Sequence, residues 1–253
     1  MPLPPLIAWQ TLGLRATAFR VPPSRLEEPT WWVDLVGSPP DKVTLQPKIG
    51  LLQQEGPFGG GNLSLQVQLD RIDWNLAPKI DPSEELLEPP SLGSFPDATN
   101  VFAKLAIQWL AVCPPVTRLA FGAAVFQPAA DRVAGYRQVK EYLPDITLDP
   151  VGASDFLYQI NRPRASAAGV AGLQINRLTK WSVMAFGSFR VVVTPGQLTS
   201  FAEDTQRYAC RLDLDINTVP YPDGRELTHV ALASIFGELI VLAHEIASNG
   251  DIP

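Results

Sequence analysis

The stretch GPFGGGNLSLQVQLDRIDWNLAP, residues 56–78, decides how the first half of this chain folds. Three consecutive glycines are followed by apolar residues at every second position, which is the pattern of a strand with one buried face. These apolar positions are Leu63, Leu65, Val67 and Leu69. Gly-Gly and Gly-Asn pairs adopt the positive φ angles that tight turns require. We therefore predict a hairpin turn at residues 59–61.

The alternation changes after Asp70, because the next apolar positions, Ile72, Trp74 and Leu76, are even-numbered. A β-bulge at Asp70 and Arg71 would explain the change, since one extra residue turns every later side chain to the other face. A phosphate-binding loop is the other interpretation of the glycines. It requires a helix directly after the loop, whereas here a strand follows.

The composition describes a globular protein with many short elements. The chain has 253 residues, of which 46% are hydrophobic, and 25 prolines that act as frequent breaks. Its two cysteines, Cys113 and Cys210, lack metal-site spacing, so we expect two buried, reduced thiols. The first ten residues lack a basic segment, so we expect no secretory signal. Acidic residues and a histidine interrupt the apolar run 231–247, so we expect an amphipathic helix and a cytoplasmic protein.

Further along the chain, periodicity separates strands from helices. Residues 12–21, 30–37, 41–54, 116–127 and 188–195 resemble strands, as do the runs that begin at 154, 171 and 206. Residues 79–98 resemble a loop. Helices are predicted near 99–113, with Thr99 or Asn100 as the cap, and near 129–144 and 226–248. The last helix carries an apolar stripe at Leu232, Ile235, Leu239, Leu242 and Ile246.

The two parts of the chain, 1–113 and 114–253, follow similar plans. Each has a β-meander that ends in an acidic strand, then a proline-containing loop and a helix. We predict an α+β fold of two similar halves, each an antiparallel meander packed by a helix, with a long C-terminal amphipathic helix. An internal duplication would match Asp70, Asp73 and Asn75 with Asp213, Asp215 and Asn217. Two unrelated antiparallel sheets would share such patterns as well.

One motif resembles a known family. Residues Gln66, Gln68, Asp70, Arg71 and Asn75 form the pattern Q-x-Q-x-D-R-x-x-x-N, which is similar to that of a sporadically distributed, uncharacterised bacterial family. That family usually has an Asn-Trp pair here, whereas this chain has Trp74-Asn75. The runs QINR at 159–162 and 174–177 are similar to a second family element, and the long last helix matches in placement. The resemblance implies the two-part layout and a bacterial cytosolic setting, and it assigns no activity.

Charge is unevenly distributed along the chain, whose net charge is −6. Residues 104–190 hold ten Lys/Arg against five Asp/Glu, whereas residues 191–253 hold three against nine. The candidates for contact with an anion or a partner are Arg162, Arg164, Arg177, Lys180 and Trp181. Together with Tyr158 they would suit a nucleic acid by charge and stacking, but the pI of about 5.0 is low for such a domain.

Candidate catalytic and metal-binding patterns are weak. Asp213 and Asp215 alternate on a strand and would share a face, yet a calcium loop would need Gly where Thr218 stands and Glu where Gly224 stands. The two histidines lack ligand spacing, His244 is expected to meet water and the helix dipole, and the sequence has no HExxH or GxSxG motif. We therefore assign no catalytic residue, metal ligand or cofactor.

These observations favour a non-catalytic binding or assembly protein with a protein partner or a second copy as its target. Sheet edges invite strand pairing, and the stripe of the last helix suits either a core or a dimer. Two alternatives stay open. One is a nucleic-acid-binding or hydrolytic component that uses the basic middle segment. The other is a helix-grip protein that holds a small ligand between the last helix and a curved sheet.

Overall fold

The computed structural model describes residues 3–80, 88–187, 189–192, 200–203 and 206–251. In chain order, its elements are β1 (Gln10–Phe19), α1 (Trp31–Val36), β2 (Lys42–Gln46), β3 (Leu51–Phe58), β4 (Gly61–Val67), β5 (Arg71–Pro78), α2 (Phe95–Leu110), β6 (Arg118–Ala129), α3 (Arg132–Tyr142), β7 (Leu157–Asn161), β8 (Arg164–Ala165), β9 (Gln174–Phe186), β10 (Phe189–Val192), β11 (Ser200–Glu203), β12 (Arg207–Thr218) and α4 (His229–Asn249). Parts of the predicted loop 79–98 and of the predicted strand 188–195 lie outside the described residues.

One large antiparallel sheet organises the molecule. Nine strands follow the order β2-β3-β4-β5-β1-β6-β12-β9-β7, and the short β8 also pairs with β9. Strands β10 and β11 form a separate two-stranded sheet. Because β1 and β6 lie side by side at the centre, the sheet runs without a break across the position 113/114. The α+β class and the antiparallel pairing are as predicted, but the strands of both predicted meanders join in one continuous sheet.

The hydrophobic core lies on one face of the sheet, where the helices pack. Alternate residues of the strands, such as Leu65, Phe121 and Leu214, point into it and join the buried residues of α2, α3 and α4. The predicted stripe of α4 is buried throughout. Length and composition alone would allow α4 to cross a membrane, but here its apolar stripe contacts α2, β6 and β12. The residues between these positions form the opposite face, which we call the open face.

The hairpin prediction for the glycine stretch is confirmed. Gly59 and Gly60 have φ angles of 55° and 81° and join β3 to β4 directly, since Phe58 pairs with Gly61. Two positive φ angles in a two-residue connection match the twist of the flanking strands.

The predicted bulge at Asp70 and Arg71 is wrong, because the chain reverses there. Val67 pairs with Ile72 across a second hairpin, and the Gln68 N–H donates to the Arg71 carbonyl at 2.8 Å. Facing residues of an antiparallel pair share a face, so an odd-numbered residue in β4 faces an even-numbered one in β5. Trp74 therefore lies opposite Leu65 in the core.

Two local predictions are corrected by tertiary packing. The aromatic run at 30–37 forms a short helix and not a strand, because Trp32 is buried against Trp74, and Gly37 ends the helix with a φ of 78°. Helix α2 begins at Phe95, four residues earlier than predicted. Its cap is Ser94, whose Oγ accepts the Asp97 N–H at 3.4 Å, and a proline in the first turn suits this start.

Both cysteines are free and buried, as predicted. Burial raises the pKa of the Cys113 thiol to about 11, and it also raises the pKa of Cys210. A thiol with a raised pKa is protonated at neutral pH and is a poor nucleophile. Both residues therefore serve packing.

Candidate functional site

The centre of the open face carries two matching ion pairs. On β5, the Arg71 guanidinium lies 2.6 Å from the Asp73 carboxylate. On β12, Arg211 lies 2.8 Å from Asp213. In each pair the two residues are separated by one position, so both side chains project to the same side of their strand. Asp73 also accepts a hydrogen bond from Thr17 Oγ1 on β1 at 2.6 Å, which fixes the carboxylate in place.

A shallow groove runs between the two ion pairs. Its floor consists of small residues on adjacent strands, and its volume is about 360 Å³. The floor residues are Gly13, Ala77, Gly122 and Ala124. The Arg15 side chain crosses β6 over Gly122, where the absence of a side chain leaves room for it. A Cβ atom at Gly122 would lie 3.3 Å from Arg15 Nε. The Arg15 guanidinium lies 3.7 Å from Asp215, so it joins β1 to β12.

A ladder of amide side chains extends the open face across β7, β9, β12 and β6. Asn161 donates to Asn176 at 3.0 Å, and Asn176 donates to Asn217 at 3.0 Å. Asn217 accepts a further bond from Arg118 at 2.7 Å, and the Arg118 guanidinium lies 4.8 Å from the centre of the Phe19 ring. Both QINR runs thus contribute their asparagine to one continuous network. Side chains held in this way lose little further rotamer freedom when a partner binds.

The residues of the Q-x-Q-x-D-R-x-x-x-N motif have three different positions. Gln66, Arg71 and Asn75 lie on the open face, since they alternate with core residues of β4 and β5. Gln68 and Asp70 lie in the turn between these strands, and Trp74 is in the core. The turn is held by Arg20, a nearly buried residue that the sequence did not single out. Its side chain donates to the carbonyls of Gln68 and Leu69, both at 3.1 Å.

The predicted anion-binding set does not form one surface. Lys180 is on the open face opposite Asp213. Trp181 is fully buried in the core, stacked on Tyr142 at 5.2 Å between ring centroids, and this burial contradicts its prediction as a contact residue. The three arginines lie elsewhere, at the C-terminal end of α4.

Two of these arginines are occupied by carboxylates of the acidic C-terminal segment. Arg162 makes a bidentate contact with Asp251 at 2.6 and 2.8 Å, and Arg164 lies 3.2 Å from Glu245. Arg177 is 3% exposed, and its Nε donates to the Arg162 carbonyl at 2.9 Å. Burial lowers the pKa of Arg177. These contacts tie the end of α4 to β7 and β9.

Asp251 is the centre of this contact. Besides Arg162, it accepts a hydrogen bond from the Tyr158 hydroxyl at 2.9 Å, and its N–H donates to the Tyr142 carbonyl at 3.0 Å. The hydrogen bonds from Arg162 lower the pKa of the Asp251 carboxyl, although its partial burial opposes this effect. Burial, together with the Asp251 hydrogen bond, raises the pKa of Tyr158.

Asp213 and Asp215 share the open face, as predicted. Arg211 binds the first, and the second accepts a hydrogen bond from Asn217 at 3.1 Å. In the described part of the chain, no group of three or more His, Cys, Asp or Glu side chains is arranged so that it could hold a metal ion. The two carboxylates thus belong to the polar network of the face.

Both histidines lie on α4, outside the strands that carry this network. His229 is exposed at the start of α4. His244 is half-buried, and its ring packs edge-on against Phe95 at 4.8 Å between ring centroids. Its buried Nε2 has no hydrogen-bond partner among the described residues. Burial lowers the pKa of His244.

The pKa of His244 leads to a prediction about acid stability. The folded state disfavours the imidazolium, so His244 contributes stability that is present above its unfolded pKa of about 6.5 and is lost as the pH falls through the lower folded value. When the pH is lowered from about 7.5 to about 5.5, we expect the melting temperature of the wild type to decrease more than that of the variant His244→Gln. The variant His229→Gln is the control and should keep the wild-type pH dependence. Equal pH dependence in all three proteins would contradict the assignment.

Comparison with known proteins identifies no relative. No family model, curated protein or solved structure matches the chain.

Proposed function

We propose that this protein is a non-catalytic binding or assembly component of a bacterial cytosolic system and that the open face of its sheet engages a protein partner. The observation that carries the proposal is the network on that face. Its arginines, carboxylates and amides are held by one another around a groove with a floor of glycine and alanine. Such pre-organisation reduces the entropy lost on binding. The resemblance of the Gln66–Asn75 motif supports the bacterial setting.

The composition of the open face favours a protein over other partners. Its central strands carry four arginines, at positions 15, 71, 118 and 211, and it has two lysines, Lys42 on the edge strand β2 and Lys180 on β9, next to β12. Arginine is enriched in protein interfaces and lysine is depleted. Nine strands about 4.8 Å apart give a face roughly 40 Å wide, which accommodates an ordinary interface of about 800 Å² per partner.

Nucleic acid is less favoured by the same contacts. Arg71, Arg211 and Arg15 each lie beside an aspartate of the open face. Arginines that are already paired offer little net positive charge to phosphates, which dominate nucleic-acid affinity. Within the basic segment 104–190, Arg162 and Arg164 also form ion pairs with carboxylates of the acidic C-terminal segment.

A ligand-binding helix-grip protein is less favoured for a different reason. Such a protein keeps a cavity between its last helix and the sheet. Here the side chains of Leu232, Ile235, Phe236 and Leu239 fill the space beneath α4 and are almost completely buried. Phe236 contacts Phe121 of β6 edge-on at 5.8 Å between ring centroids.

We further propose that the chain contains two similar halves. The strand order is β3-β4-β5-β1 on one side of the sheet centre and β7-β9-β12-β6 on the other. In each half a helix follows the central strand, and another helix follows the last strand. This shared connectivity supports an internal duplication.

The register supports a particular alignment of the halves. Arg71 faces Phe19 across β5 and β1, and Arg211 faces Phe126 across β12 and β6. This equivalence aligns RIDWN at 71–75 with RLDLD at 211–215. Asp73 then corresponds to Asp213, whereas the alignment based on the acidic residues alone matched it with Asp215. If Phe19 is equivalent to Phe126 in the aligned halves, the same sequence offset makes Arg15 equivalent to Gly122. These two residues pair in the β1–β6 ladder, so the pseudo-two-fold axis would pass through the groove.

Photo-crosslinking tests the proposed function. The photoreactive residue p-benzoylphenylalanine replaces Ala124, on the floor of the groove, and the variant is expressed in the native host cell. We expect one dominant protein adduct at this position after irradiation. The matched control is Val241 on the outer side of α4, which is 63% exposed. Adducts of equal yield at both positions, or only a nucleic-acid adduct at Ala124, would contradict the proposal.

A further inference from the structure

Strand β2 ends the sheet with an unpaired edge. In the described part of the chain it pairs with β3 on one side and with no strand on the other. Its outer N–H and C=O groups pair with no other strand of the described residues. Natural edge strands are commonly blunted by charge, a bulge or a covering loop. Here the side chains of Val43 and Leu45 are 56% and 43% exposed and form an apolar strip between Lys42 and Gln46, the polar residues at the two ends of β2.

A cavity opens at the C-terminal end of this edge. Its volume is about 520 Å³, and its walls come from the loop after β1, the end of β2, the residues that follow it and the β4–β5 turn. The apolar part of the wall consists of Leu26, Leu45, Pro47, Ile49 and Leu69. Ile49 is 67% exposed, so the apolar strip of β2 continues into the cavity.

The cavity wall also carries two cations. Arg25 and Lys48 are both exposed, and neither takes part in an ion pair within the described residues. Glu28 is the one acidic residue in the wall. The neighbouring Glu27 is occupied by Arg20 at 2.5 Å. The wall therefore has a local excess of positive charge, although the whole chain is acidic.

We infer that the β2 edge and this cavity bind an extended segment of a partner protein that carries an aspartate or glutamate. The backbone of the segment pairs with β2, an apolar side chain covers Leu45 and Ile49, and the carboxylate lies between Arg25 and Lys48. Addition of a strand in this way obtains affinity from main-chain hydrogen bonds and specificity from pockets for alternate side chains. The inference rests on the proposed function, because it adds the chemistry of the protein partner at a second surface.

Peptide selection tests the inference. A phage-displayed library of random ten-residue peptides is selected on the purified protein, and the binding of an enriched peptide is measured by fluorescence anisotropy. We expect enriched peptides to combine an acidic residue with alternating β-branched or aromatic positions. The double variant Arg25→Glu/Lys48→Glu should weaken binding at least tenfold. The control, Arg137→Glu/Lys140→Glu, changes the net charge equally at exposed positions of α3 and should leave binding unchanged.

A modified peptide tests the backbone pairing with the wild-type protein alone. N-methylation at alternate residues removes the donors on one edge of the peptide without changing its side chains. We expect methylation of one alternate set to abolish binding and methylation of the other to be tolerated. Enrichment of no peptide, or binding that resists both the charge reversal and each methylation, would overturn the inference. Crosslinking from Ala124 on the open face is independent of these outcomes, so failure here is distinguishable from failure of the proposed function.

Discussion

Replacement of Trp74 by Ala is expected to lower the free energy of unfolding by about 3–5 kcal/mol. The side chain is 0% exposed and lies at the junction of three elements. Its ring stacks on Trp32 of α1 at 6.1 Å and contacts Trp109 of α2 edge-on at 6.3 Å. Removal of the indole would leave a cavity that β5 and both helices would have to close together.

Urea denaturation followed by far-ultraviolet circular dichroism measures this effect. Val241→Ala on the exposed side of α4 is the control and should change stability by less than about 0.5 kcal/mol. Trp74→Phe adds a second comparison, because the Trp74 Nε1 has no hydrogen-bond partner among the described residues. Phenylalanine should therefore cost clearly less than alanine. A loss below about 1 kcal/mol for Trp74→Ala would contradict the described packing.

The hairpins around residues 56–78 indicate what local sequence can predict. The glycine turn was predictable, because two positive φ angles are a local requirement that few other residues meet. The second hairpin was not, since a turn and a bulge both change the alternation of apolar positions. Only the pairing of Val67 with Ile72 distinguishes them. The apolar stripes of α2 and α4 were also predictable from local sequence, because the periodicity of each stripe lies within a single helix.

Helix α1 could not be predicted in this way. Residues 30–37 contain aromatic and β-branched residues, which favour a strand. Trp32 instead packs against Trp74, which lies far along the chain, and Trp31 contacts Trp109 edge-on at 5.9 Å. Tertiary contacts of this kind override local propensity.

The candidate site was only partly visible in the sequence. The shared face of Asp213 and Asp215 follows from their spacing, but each carboxylate resembled a solvated strand residue. Asp215 is also joined to β1 by Arg15, which is remote in sequence and lies near Asp215 only because β1 and β6 pair at the sheet centre. The repeated Arg-x-Asp spacing at 71–73 and 211–213 was the available signal.

The uneven charge along the chain also has a structural explanation. The basic middle segment and the acidic C-terminal segment meet through Arg162 with Asp251 and Arg164 with Glu245. The positive charge of the middle segment, which suggested that it binds an anionic partner, is thus partly neutralised by carboxylates of the same chain. Sequence alone does not reveal this pairing, because it depends on where the end of α4 lies relative to β7 and β8.

Replacement of Gly250 by Ala is expected to disrupt this junction. Gly250 has a φ of 81°, and a Cβ atom there would lie 2.2 Å from the Tyr142 carbonyl oxygen. The close approach is required, because the next residue, Asp251, donates its N–H to the same carbonyl and presents its carboxylate to Arg162. Gly250 combines this φ with a ψ of −156°, a backbone conformation that is essentially restricted to glycine and costs about 1–3 kcal/mol for a residue with a side chain, and overpacking costs about 1–3 kcal/mol. We expect a total loss of about 2–6 kcal/mol.

The control for this variant is Gly224→Ala. Gly224 has a similar φ of 69°, but its Cβ would meet no atom within 4 Å, so only the backbone cost should appear. Acid provides a second measurement. The pKa of Asp251 is lowered in the fold, so its contact contributes stability above the ordinary carboxyl pKa of about 3.9 and loses it as the pH falls through the folded value. The difference in stability between wild type and Gly250→Ala should therefore narrow below about pH 4. Equal losses for both glycine variants at neutral pH would mean that the Tyr142 carbonyl yields, and that Asp251 does not depend on the glycine for its position.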